Sequence, residues 1–592
     1  MDSFEIPDIQ EVPLQSSLFR SRVQDFLERN GLCMEALDHY YTIQGADGKI
    51  LAGAGLAGDI IKCVAVDSAE RASGLTVPLI SRVVSEAASR GLTALKVFTK
   101  PEYEQVFESL GFHTIASAPL AVLMENGREL EEYCERLRSF RTYGSCGLVV
   151  INANPFTLGH KYLLDTAAAR VDRLFVIPVG EEGQQFSYDE RRRMISKAAP
   201  GGAEVLDASS YQISAATFPN YFIKEWSEIS ETQIRLDLDL FGRHIAPALR
   251  VLVRFIGSEP EDTLTARYNA LMSKILPQYG VSVMEIPRLE TDGAPVSASR
   301  VRSALNGGSL SSAAALTPSS SHPFLLSQLA YKAMQTELET PLKPGLVGPD
   351  SNGAHTDMSL GLMQKGLSAI RPFLPGMAAA SSVRSLTRLG IDAEEAMLAA
   401  TGGVNTHRGA IYALGMALNA AGQLLLCDLQ GSDIEQLMQT YIGQISREQS
   451  SNYLMDEELD FTPESDASRQ EESNGSAAVR QYGVKGARQM AMDGYGILFS
   501  DWLPFYRSLS SDKWRLQKTL LRIISTLDDT CVIHRVGYKR AQEVKIEAAG
   551  VLSGFSPEAL EDLCSRYASE RISPGGAADM LALTVFIESI LN

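Results

Sequence analysis

Strand-like runs of β-branched residues occur in the first half of the chain and nearly disappear from the second half. Up to residue 286, apolar runs such as 146–154 (CGLVVINAN) and 251–257 (VLVRFIG) alternate with segments of helical spacing, which predicts parallel sheets covered by helices. From residue 324 onward, Ala, Leu, Met and Glu recur at helical spacing, which predicts an all-α region. A chain of 592 residues is too long for one hydrophobic core, so we expect several domains of different class.

We predict three domains and one linker. Residues 1–140 form a compact α/β domain, residues 141–306 form a second α/β domain with a doubly wound, Rossmann-like parallel sheet, and residues 324–592 form an all-α domain. Residues 307–323 are small and rich in Ser, with two Pro, so they predict a linker that buries little surface.

Composition excludes several classes of partner. The net charge of -18 repels polyanions, which argues against nucleic acid. No apolar run approaches the ~18 to 20 residues that a membrane span needs, and the start MDSFEIPDIQEV lacks the features of a secretory signal. The seven cysteines contain no Cys-x-x-Cys pair, so neither a zinc site nor a disulfide framework is indicated. These features predict a soluble, cytoplasmic protein.

A first candidate site follows the strand-like run at 146–154. The sequence continues as PFTLGH (155–160) and then as a helix, whose free N–H groups and positive dipole end suit a triphosphate. Gly159 lets the backbone approach phosphate closely, and His160 donates a hydrogen bond as charge moves toward pyrophosphate. Thr157 adds a hydroxyl donor, and Asn154 is a further candidate ligand. Taken alone, the motif fits a capped surface histidine equally well.

A second candidate lies at VSASRVR (296–302). Ser297 and Ser299 suit the start of a helix, and Arg300 and Arg302 follow in its first turn. Ser299 could also be a plain N-cap. Because the two motifs follow different strands, their helix starts could bind one triphosphate from both sides, and the pair is a stronger indication than either motif alone.

This pair resembles the cytidylyltransferase-like superfamily of HxGH-type nucleotidyltransferases, and within it the citrate lyase ligase family. The resemblance spans most of the central domain, through the segments 152–164, 186–195, 211–224, 254–272 and 285–302. It implies an acid–thiol ligase that uses ATP with Mg²⁺ to convert acetate into acetyl-adenylate. The acetyl group then passes to the prosthetic-group thiol on the acyl carrier (gamma) subunit of citrate lyase. Ser258 stands where that family has an acidic residue, which leaves the role of Glu259 open.

The amino-terminal region resembles the Gcn5-related N-acetyltransferase fold. Its pyrophosphate-binding turn corresponds to residues 71–76 (RASGLT), and Thr76 departs from the small residue preferred there. The resemblance therefore implies a GNAT-like domain that packs on the ligase or recognises its protein substrate, in preference to an active acetyltransferase.

Four segments of the helical region combine Gly with Asn, His, Asp or basic residues. They are 340–358, 402–415, 473–495 and 527–537, and this composition is poorly suited to a helical core. Helix caps and interhelical turns explain one such segment easily, whereas four predict the loops of an active site.

These segments resemble the triphosphoribosyl-dephospho-coenzyme A synthase family over most of residues 325–592. The resemblance implies that ATP and 3'-dephospho-CoA give 2'-(5''-triphosphoribosyl)-3'-dephospho-CoA and adenine. We expect catalytic carboxylates, of which the last two also hold Mg²⁺, at Asp357, Asp528 and Asp529. We expect phosphate contacts at Lys343, Arg408, Lys485, Arg488 and Arg535, and a substrate pocket shaped by Asn352, His355, Asn405 and His407. Two positions depart from the family pattern: Gly348 lacks an expected carboxylate that nearby Asp350 can supply, and Cys531 replaces an expected Asn.

The sequence therefore predicts a bifunctional enzyme whose two halves serve one target. Its substrates are ATP, acetate and 3'-dephospho-CoA, its protein partner is the acyl carrier subunit, and no tightly bound organic cofactor is expected. Two alternatives stay open. One is a nucleotidyltransferase with another acceptor, and the other is a non-catalytic nucleotide-binding assembly protein, supported only by the departures at Thr76, Gly348 and Cys531.

Overall fold

The computed structural model describes residues 8–71, 73–181, 183–212, 226–259, 263–425, 433–456 and 480–591. The chain divides into two compact units, residues 1–154 with 159–296 and residues 155–158 with 297–592. In these described ranges, no helix is both long and apolar enough to cross a membrane.

A mixed sheet of seven strands occupies the amino-terminal part of the first unit. Its strands are β1 (Ile9–Glu11), β2 (His39–Gln44), β3 (Ile50–Ala57), β4 (Ile60–Val66), β5 (Leu95–Thr99), β6 (His113–Ala118) and β7 (Ala121–Asn126). The order is β1-β2-β3-β4-β5-β7-β6, and every neighbouring pair is antiparallel except β4 and β5. The accompanying helices are α1 (Ser17–Arg29), α2 (Thr76–Ser89), α3 (Glu104–Glu108) and α4 (Glu129–Arg138).

A parallel sheet of five strands follows in the same unit, as the alternating pattern predicts. Its strands are β8 (Cys146–Ile151), β9 (Arg173–Pro178), β10 (Glu204–Val205), β11 (Val251–Gly257) and β12 (Ser282–Ile286), in the order β10-β9-β8-β11-β12. The helices are α5 (Leu158–Ala168), α6 (Tyr188–Ala198), α7 (Trp226–Leu240), α8 (Ala246–Leu249) and α9 (Thr263–Ile275), and a short hairpin pairs β13 (Glu290–Thr291) with β14 (Ala294–Pro295). The strand order reverses at β8, and in open parallel sheets ligands bind outside the carboxyl ends of the strands at such a switch point.

The two sheets share a hydrophobic core. Phe98 and Ile115 from the first sheet pack in one cluster with Leu148 and Phe175 from the second. A sequence boundary at residue 140 therefore does not separate two independent cores.

The second unit is all-α, as predicted for residues 324–592. Its helices are α10 (Ala298–Asn306), α11 (Leu310–Ala315), α12 (His322–Glu339), α13 (Leu360–Ile370), α14 (Leu374–Ala379), α15 (Val383–Ala400), α16 (Arg408–Leu425), α17 (Ile434–Asp456), α18 (Ala487–Met492), α19 (Leu503–Ser508), α20 (Arg515–Thr526), α21 (Thr530–Val536), α22 (Tyr538–Ser553), α23 (Pro557–Ser569) and α24 (Gly575–Leu591). Helices α12, α16 and α24 are apolar over most of their surface and form the centre of this unit.

The segment 307–323 differs from the expected linker. It contains α11, and Leu310, Ala313 and Leu316 are buried. The Ser321 hydroxyl donates to the carbonyl of Phe156 at 3.2 Å, within the second unit. The small residues of this segment do not prevent packing, because the three consecutive alanines favour a helix and the leucines beside them supply its buried face.

Candidate active sites

The first site lies where β8, β11 and β12 end. After β8 the chain passes through Ala153, whose φ of 52° is left-handed, a conformation that costs a residue with a side chain roughly 1 kcal/mol. Helix α5 begins soon afterwards, at Leu158. Strain of this kind is retained where the surrounding structure holds the backbone in one conformation, and functional loops are common examples.

Buried Arg191 holds this loop. Its guanidinium donates to the carbonyl of Asn152 at 3.0 Å, to that of Val179 at 2.7 Å and to that of Glu181 at 2.6 Å. The carbonyl acceptors satisfy a side chain that is fully buried. Arg191 is therefore a framework residue that fixes the end of β8 relative to the loop after β9.

Asn154 joins the same framework. Its Oδ1 accepts from the backbone N–H of Phe186 at 3.1 Å, and its amide group donates to Gln184. Asn154 is thus engaged in loop contacts, and its expected role as a phosphate ligand stays a prediction.

His160 is partly buried in the first turn of α5. Burial and the nearby guanidinium of Arg288 lower the pKa of His160 to about 4, so the imidazole is neutral at pH 7. Arg288 follows β12, and its Nε donates to the carbonyl of Ser258 at 2.9 Å. Its guanidinium also pairs with Glu259. A neutral imidazole, a guanidinium and a carboxylate thus meet at the carboxyl ends of three strands.

Arg288 was missed in the sequence, although it lies in the quoted segment 285–302. The arginine that follows β12 was an available signal, but only the pairing of β12 beside β11 places it against Ser258 and Glu259. The same strand pairing places Arg288 beside Glu259 as its ion-pair partner. The sequence alone leaves the role of Glu259 open.

Apart from Gly159, which belongs to the first unit, the remaining predicted ligands of this motif pair belong to the second unit. Thr157 is buried there, and Ser297 caps α10 by accepting from the N–H of Arg300 at 3.3 Å. Ser299 shares a hydrogen bond of 3.0 Å with Ser297. Helix α10 thus begins where the sequence predicts it, and phosphate binding by Thr157, Ser297, Ser299, Arg300 and Arg302 stays a prediction.

The second site is a buried polar centre where α16, α21 and α24 begin. Asp529 caps α21, because its Oδ1 accepts from the N–H of Cys531 at 2.8 Å. Its Oδ2 accepts from the N–H of Ala577 in the first turn of α24 at 2.9 Å. Burial raises the pKa of Asp529, and these N–H groups oppose that rise. One carboxyl group therefore joins two helix N-termini, where negative charge is favoured.

Asp579, on α24, was not singled out in the sequence. Its carboxyl group lies against the start of α16, where a Cβ on Gly409 would collide with its Oδ2. Burial together with the charges of Glu337 and Asp529 raises the pKa of Asp579 well above its usual range. The run 574–579 (PGGAAD) combines a Pro-Gly-Gly turn with an acidic residue and was an available signal.

A lysine and a histidine are buried near these carboxyl groups. Lys343 is 5% exposed, and its Nζ lies 2.5 Å from Oε1 of Glu337. His407 is 6% exposed and shares a hydrogen bond of 2.8 Å with Thr406 through Nδ1. Its Nε2 is buried without a hydrogen-bond partner among the residues that the structure describes. Burial and the charge of Lys343 lower the pKa of His407 to about 4.

Three more predicted residues meet next to the start of α24. His355 shares a hydrogen bond of 2.8 Å with Ser573 through Nε2, and Nη2 of Arg535 lies 3.3 Å from its Nδ1. Asp357 lies 3.7 Å from the same Nδ1. Burial and Arg535 lower the pKa of His355, and Asp357 opposes that effect. The structure therefore brings the predicted loops 340–358 and 527–537 together.

Other predicted residues have different surroundings. Asp528 and Asp529 have different hydrogen-bond partners. Oδ1 of Asp528 accepts from Lys545 at 2.7 Å and from Gln542 at 3.2 Å. Two of the predicted phosphate contacts pair with carboxylates: Arg408 pairs with Glu394, and Nζ of Lys485 lies 2.6 Å from Asp493. The side chain of Asn405 accepts from the N–H of Arg408 at 3.1 Å. Asn352 and Arg488 are exposed. The expected segments 211–224 and 473–495 fall partly outside the described residues.

The contacts of Asp528 and Asp529 differ from those expected of two ligands of one metal ion. Both oxygens of Asp529 accept backbone N–H groups, whereas Asp528 accepts from a lysine and a glutamine, so the two side chains share no partner. Within the described ranges, no group of three or more His, Cys, Asp and Glu side chains is arranged to hold a metal ion. This arrangement does not fit a metal ion held by Asp528 and Asp529.

The two lowered histidine pKa values lead to a prediction. Because each pKa is about 4, the rings of His160 and His407 stay neutral from about pH 8 down to about pH 5, where a histidine of ordinary pKa near 6.5 becomes charged. NMR of protein labelled at the histidine Cε1 carbons measures this, with His160→Ala and His407→Gln spectra as assignments. A signal of either residue that titrates with a midpoint between about pH 6 and pH 7 contradicts the prediction.

Comparison with known proteins assigns two parts of the chain to two families, whose matches meet near residue 324. Residues 146–325 match the family described as citrate lyase ligase C-terminal domain, and residues 323–592 match the family described as ATP:dephospho-CoA triphosphoribosyl transferase. A citrate (pro-3S)-lyase ligase of Klebsiella pneumoniae is 38% identical over 326 residues, which are 54% of this chain and 95% of that protein. The ligase of the same name from Escherichia coli strain K12 is 39% identical over 321 residues, covering 52% of this chain and 91% of it.

The second half is similar to a different set of proteins. A protein of Pseudomonas syringae pv. tomato named "Probable 2-(5''-triphosphoribosyl)-3'-dephosphocoenzyme-A synthase" is 35% identical over 284 residues, which are 45% of this chain and 91% of that protein.

Proposed function

Because the chain belongs to the citrate lyase ligase family through its first half and to the triphosphoribosyl-dephospho-CoA synthase family through its second half, we propose that it is a bifunctional enzyme of citrate lyase maturation. The second half makes 2'-(5''-triphosphoribosyl)-3'-dephospho-CoA from ATP and 3'-dephospho-CoA and releases adenine. The first half acetylates the prosthetic-group thiol of the acyl carrier subunit through acetyl-adenylate, with release of AMP and diphosphate.

The observation that carries the ligase proposal is the neutral His160 beside Arg288 at the switch point of the parallel sheet. An acetate oxygen attacks the α-phosphorus of ATP, and the bond to pyrophosphate breaks. His160 donates an N–H to a phosphate oxygen while negative charge moves to the leaving group, and Arg288 neutralises part of that charge. The first N–H groups of α5 add fixed donors. We assign this domain to the Rossmann-like, HxGH-type nucleotidyltransferases, which the strand order β10-β9-β8-β11-β12 supports.

The transferase proposal is supported by the buried polar centre of the second unit. The bond between C1' of the ATP ribose and N9 of adenine breaks, and C1' is transferred to a hydroxyl group of 3'-dephospho-CoA. The predicted cations Lys343 and Arg535 are near this centre and suit the triphosphate, while Asp529 suits the hydroxyl group as a base. Lys343 pairs with Glu337 in the ligand-free arrangement, so phosphate binding would exchange partners.

Mg²⁺ belongs to the proposal as a companion of ATP, where it neutralises part of the triphosphate charge. The acyl carrier subunit as protein partner and a cytoplasmic location are also parts of the proposal. No further cofactor is assigned.

The seven-stranded sheet is proposed to be a GNAT-like domain with a packing role. The parallel pair β4–β5 inside an otherwise antiparallel sheet supports this assignment, and the pairing runs only through Ile60 with Lys96 and Ile61 with Val97. Its core is continuous with that of the ligase domain, which favours packing over independent acetyl transfer.

Two assays on the purified protein test the proposal. We expect pyrophosphate release from ATP that depends on acetate, and adenine release from ATP that depends on 3'-dephospho-CoA. Chromatography separates adenine from AMP and thereby reports the two reactions independently. Absence of both activities contradicts the bifunctional proposal and favours a nucleotide-binding assembly protein, whereas absence of one contradicts only the corresponding half.

A further inference from the structure

Two tyrosine rings stack on each other at the surface of the second unit. The ring centroids of Tyr482 and Tyr538 are 4.9 Å apart, and the two ring planes differ by 10°. Both residues stay accessible, with exposed fractions of 40% and 36%. Because rings stacked in parallel cover only the sides that face each other, this exposure leaves aromatic surface available to a further planar group.

The tyrosine stack connects two of the segments that the sequence predicts to form an active site. Tyr482 lies within the segment 473–495. Tyr538 directly follows the segment 527–537 and is the first residue of α22. The contact between the two rings therefore lies where a substrate contact is expected.

The tyrosine stack also adjoins a predicted phosphate contact. Arg535 lies three residues before Tyr538 in the chain, so their Cα atoms are at most about 11 Å apart. Nη2 of Arg535 is 3.3 Å from Nδ1 of His355, whose Nε2 shares a hydrogen bond of 2.8 Å with Ser573. The aromatic surface is thus next to the polar cluster that precedes α24.

The chain around the tyrosine stack is basic, although the whole protein carries a net charge of -18. Residues 473–492 contain three Lys or Arg and no Asp or Glu, and residues 530–542 likewise contain three and none. Some of these cations pair with carboxylates outside the two stretches, as Lys485 and Arg540 do. Positive charge beside exposed aromatic rings suits a ligand that carries both phosphate groups and a planar base.

A role in packing alone does not explain this exposure. Burial of aromatic surface supplies most of the stabilisation that a ring gives to a fold. Tyr495 and Tyr567 of the same unit follow that rule and are fully buried. The rings of the tyrosine stack remain at the surface, so a ligand that covers them gains the burial that the fold does not use.

We propose that the tyrosine stack is the adenine-binding surface of the second unit, where the base of an adenosine nucleotide lies against the rings and Arg535 contacts its phosphate groups. This inference rests on the proposed function of that unit, which uses two adenosine compounds, ATP and 3'-dephospho-CoA. Stacking holds the base and forms or breaks no bond, so it contributes to substrate binding and changes KM more than kcat.

Kinetics of adenine release test the inference with Tyr538→Leu, Tyr538→Phe and Ile546→Ala. Leucine removes the ring and phenylalanine keeps it. Ile546 is the matched control, because it is 73% exposed and lies on the same helix. We expect Tyr538→Leu to raise KM for ATP or for 3'-dephospho-CoA by about 5- to 100-fold, as for the loss of one base–aromatic stack. The KM values of Tyr538→Phe and Ile546→Ala should stay within about twofold of wild type.

Competitors without a base separate the base contact from a general defect. Tripolyphosphate competes with ATP, and 4'-phosphopantetheine competes with 3'-dephospho-CoA. Their inhibition constants should be the same in Tyr538→Leu as in wild type, because neither compound carries a base that the rings could hold. The nucleotide whose KM rises identifies the base that stacks.

The inference is overturned if both KM values of Tyr538→Leu stay within about twofold of wild type, or if the inhibition constant of a base-free competitor rises by the same factor as the KM. If Tyr538→Leu does not fold, Tyr482→Leu removes the other ring and is measured in its place. Failure of both variants to fold also overturns the inference, because the tyrosine stack is then structural. Wild-type enzyme that releases no adenine contradicts the proposed function itself and is thereby distinguished from these outcomes.

Discussion

Replacement of His160 by alanine is expected to lower acetate-dependent pyrophosphate release by about 100- to 1000-fold, the usual effect of removing one donor to developing charge. The ring is a neutral donor because burial and Arg288 lower its pKa to about 4. No compensating donor is expected, since Arg288 is already engaged by Ser258 and Glu259. Adenine release by the second unit should not change.

Initial rates of pyrophosphate release at saturating acetate and ATP measure this effect. His39→Ala is the matched control, because His39 lies in the first unit and pairs with Glu11 at the edge of the mixed sheet. Retention of pyrophosphate release within about threefold of wild type would remove His160 from the proposed mechanism, and loss of both activities would contradict two independent sites.

The parallel sheet and the start of α5 could be predicted because both depend on local sequence. Runs such as 146–154 and 251–257 are apolar and β-branched, and a Gly-His pair after a strand predicts a ligand-binding helix start. The position of Arg288 could not be predicted in this way. It lies near enough to His160 to lower the pKa of that ring only because β12 pairs beside β11, which in turn pairs beside β8, and that order is a property of the whole sheet.

In the helical unit, too, local sequence does not predict which side chains come together. Asp528 and Asp529 are adjacent in sequence and were expected to act as a pair, but consecutive residues at a helix start do not face the same way. Asp529 contacts the first turn of α24, whereas Asp528 contacts Lys545 on α22. Three helices, α21, α22 and α23, lie between Asp529 and α24 in the chain, and only the packing of α24 places Asp579 near enough to Asp529 to be affected by its charge. Similarly, the expected linker was wrong about burial because hydrophobic contacts of Leu310 and Leu316 outweigh the small residues around them.

Substitution of Asp529 is expected to separate the structural and chemical roles of its carboxylate. Asp529→Ala removes the acceptor for Cys531 and Ala577, so it should destabilise the second unit by about 2 kcal/mol, as for the loss of two helix caps, and abolish adenine release. Asp529→Asn keeps an acceptor oxygen and should recover most of the stability. It should still lower adenine release by about 100- to 10,000-fold, because an amide cannot take the hydroxyl proton.

Ser556→Ala is the matched control for the loss of a cap, since Ser556 caps α23 by accepting from the N–H of Ala559 at 3.1 Å and is not part of the polar centre. It should reduce stability by about 1 kcal/mol and leave adenine release unchanged. Thermal unfolding and adenine release, measured on all three variants, decide between the two roles. If Asp529→Asn matches Ser556→Ala in activity, Asp529 only joins α21 to α24. The base in the second unit must then be sought among the other carboxylates, Glu337 first, because its Oε1 lies 2.5 Å from Nζ of Lys343 in the same unit.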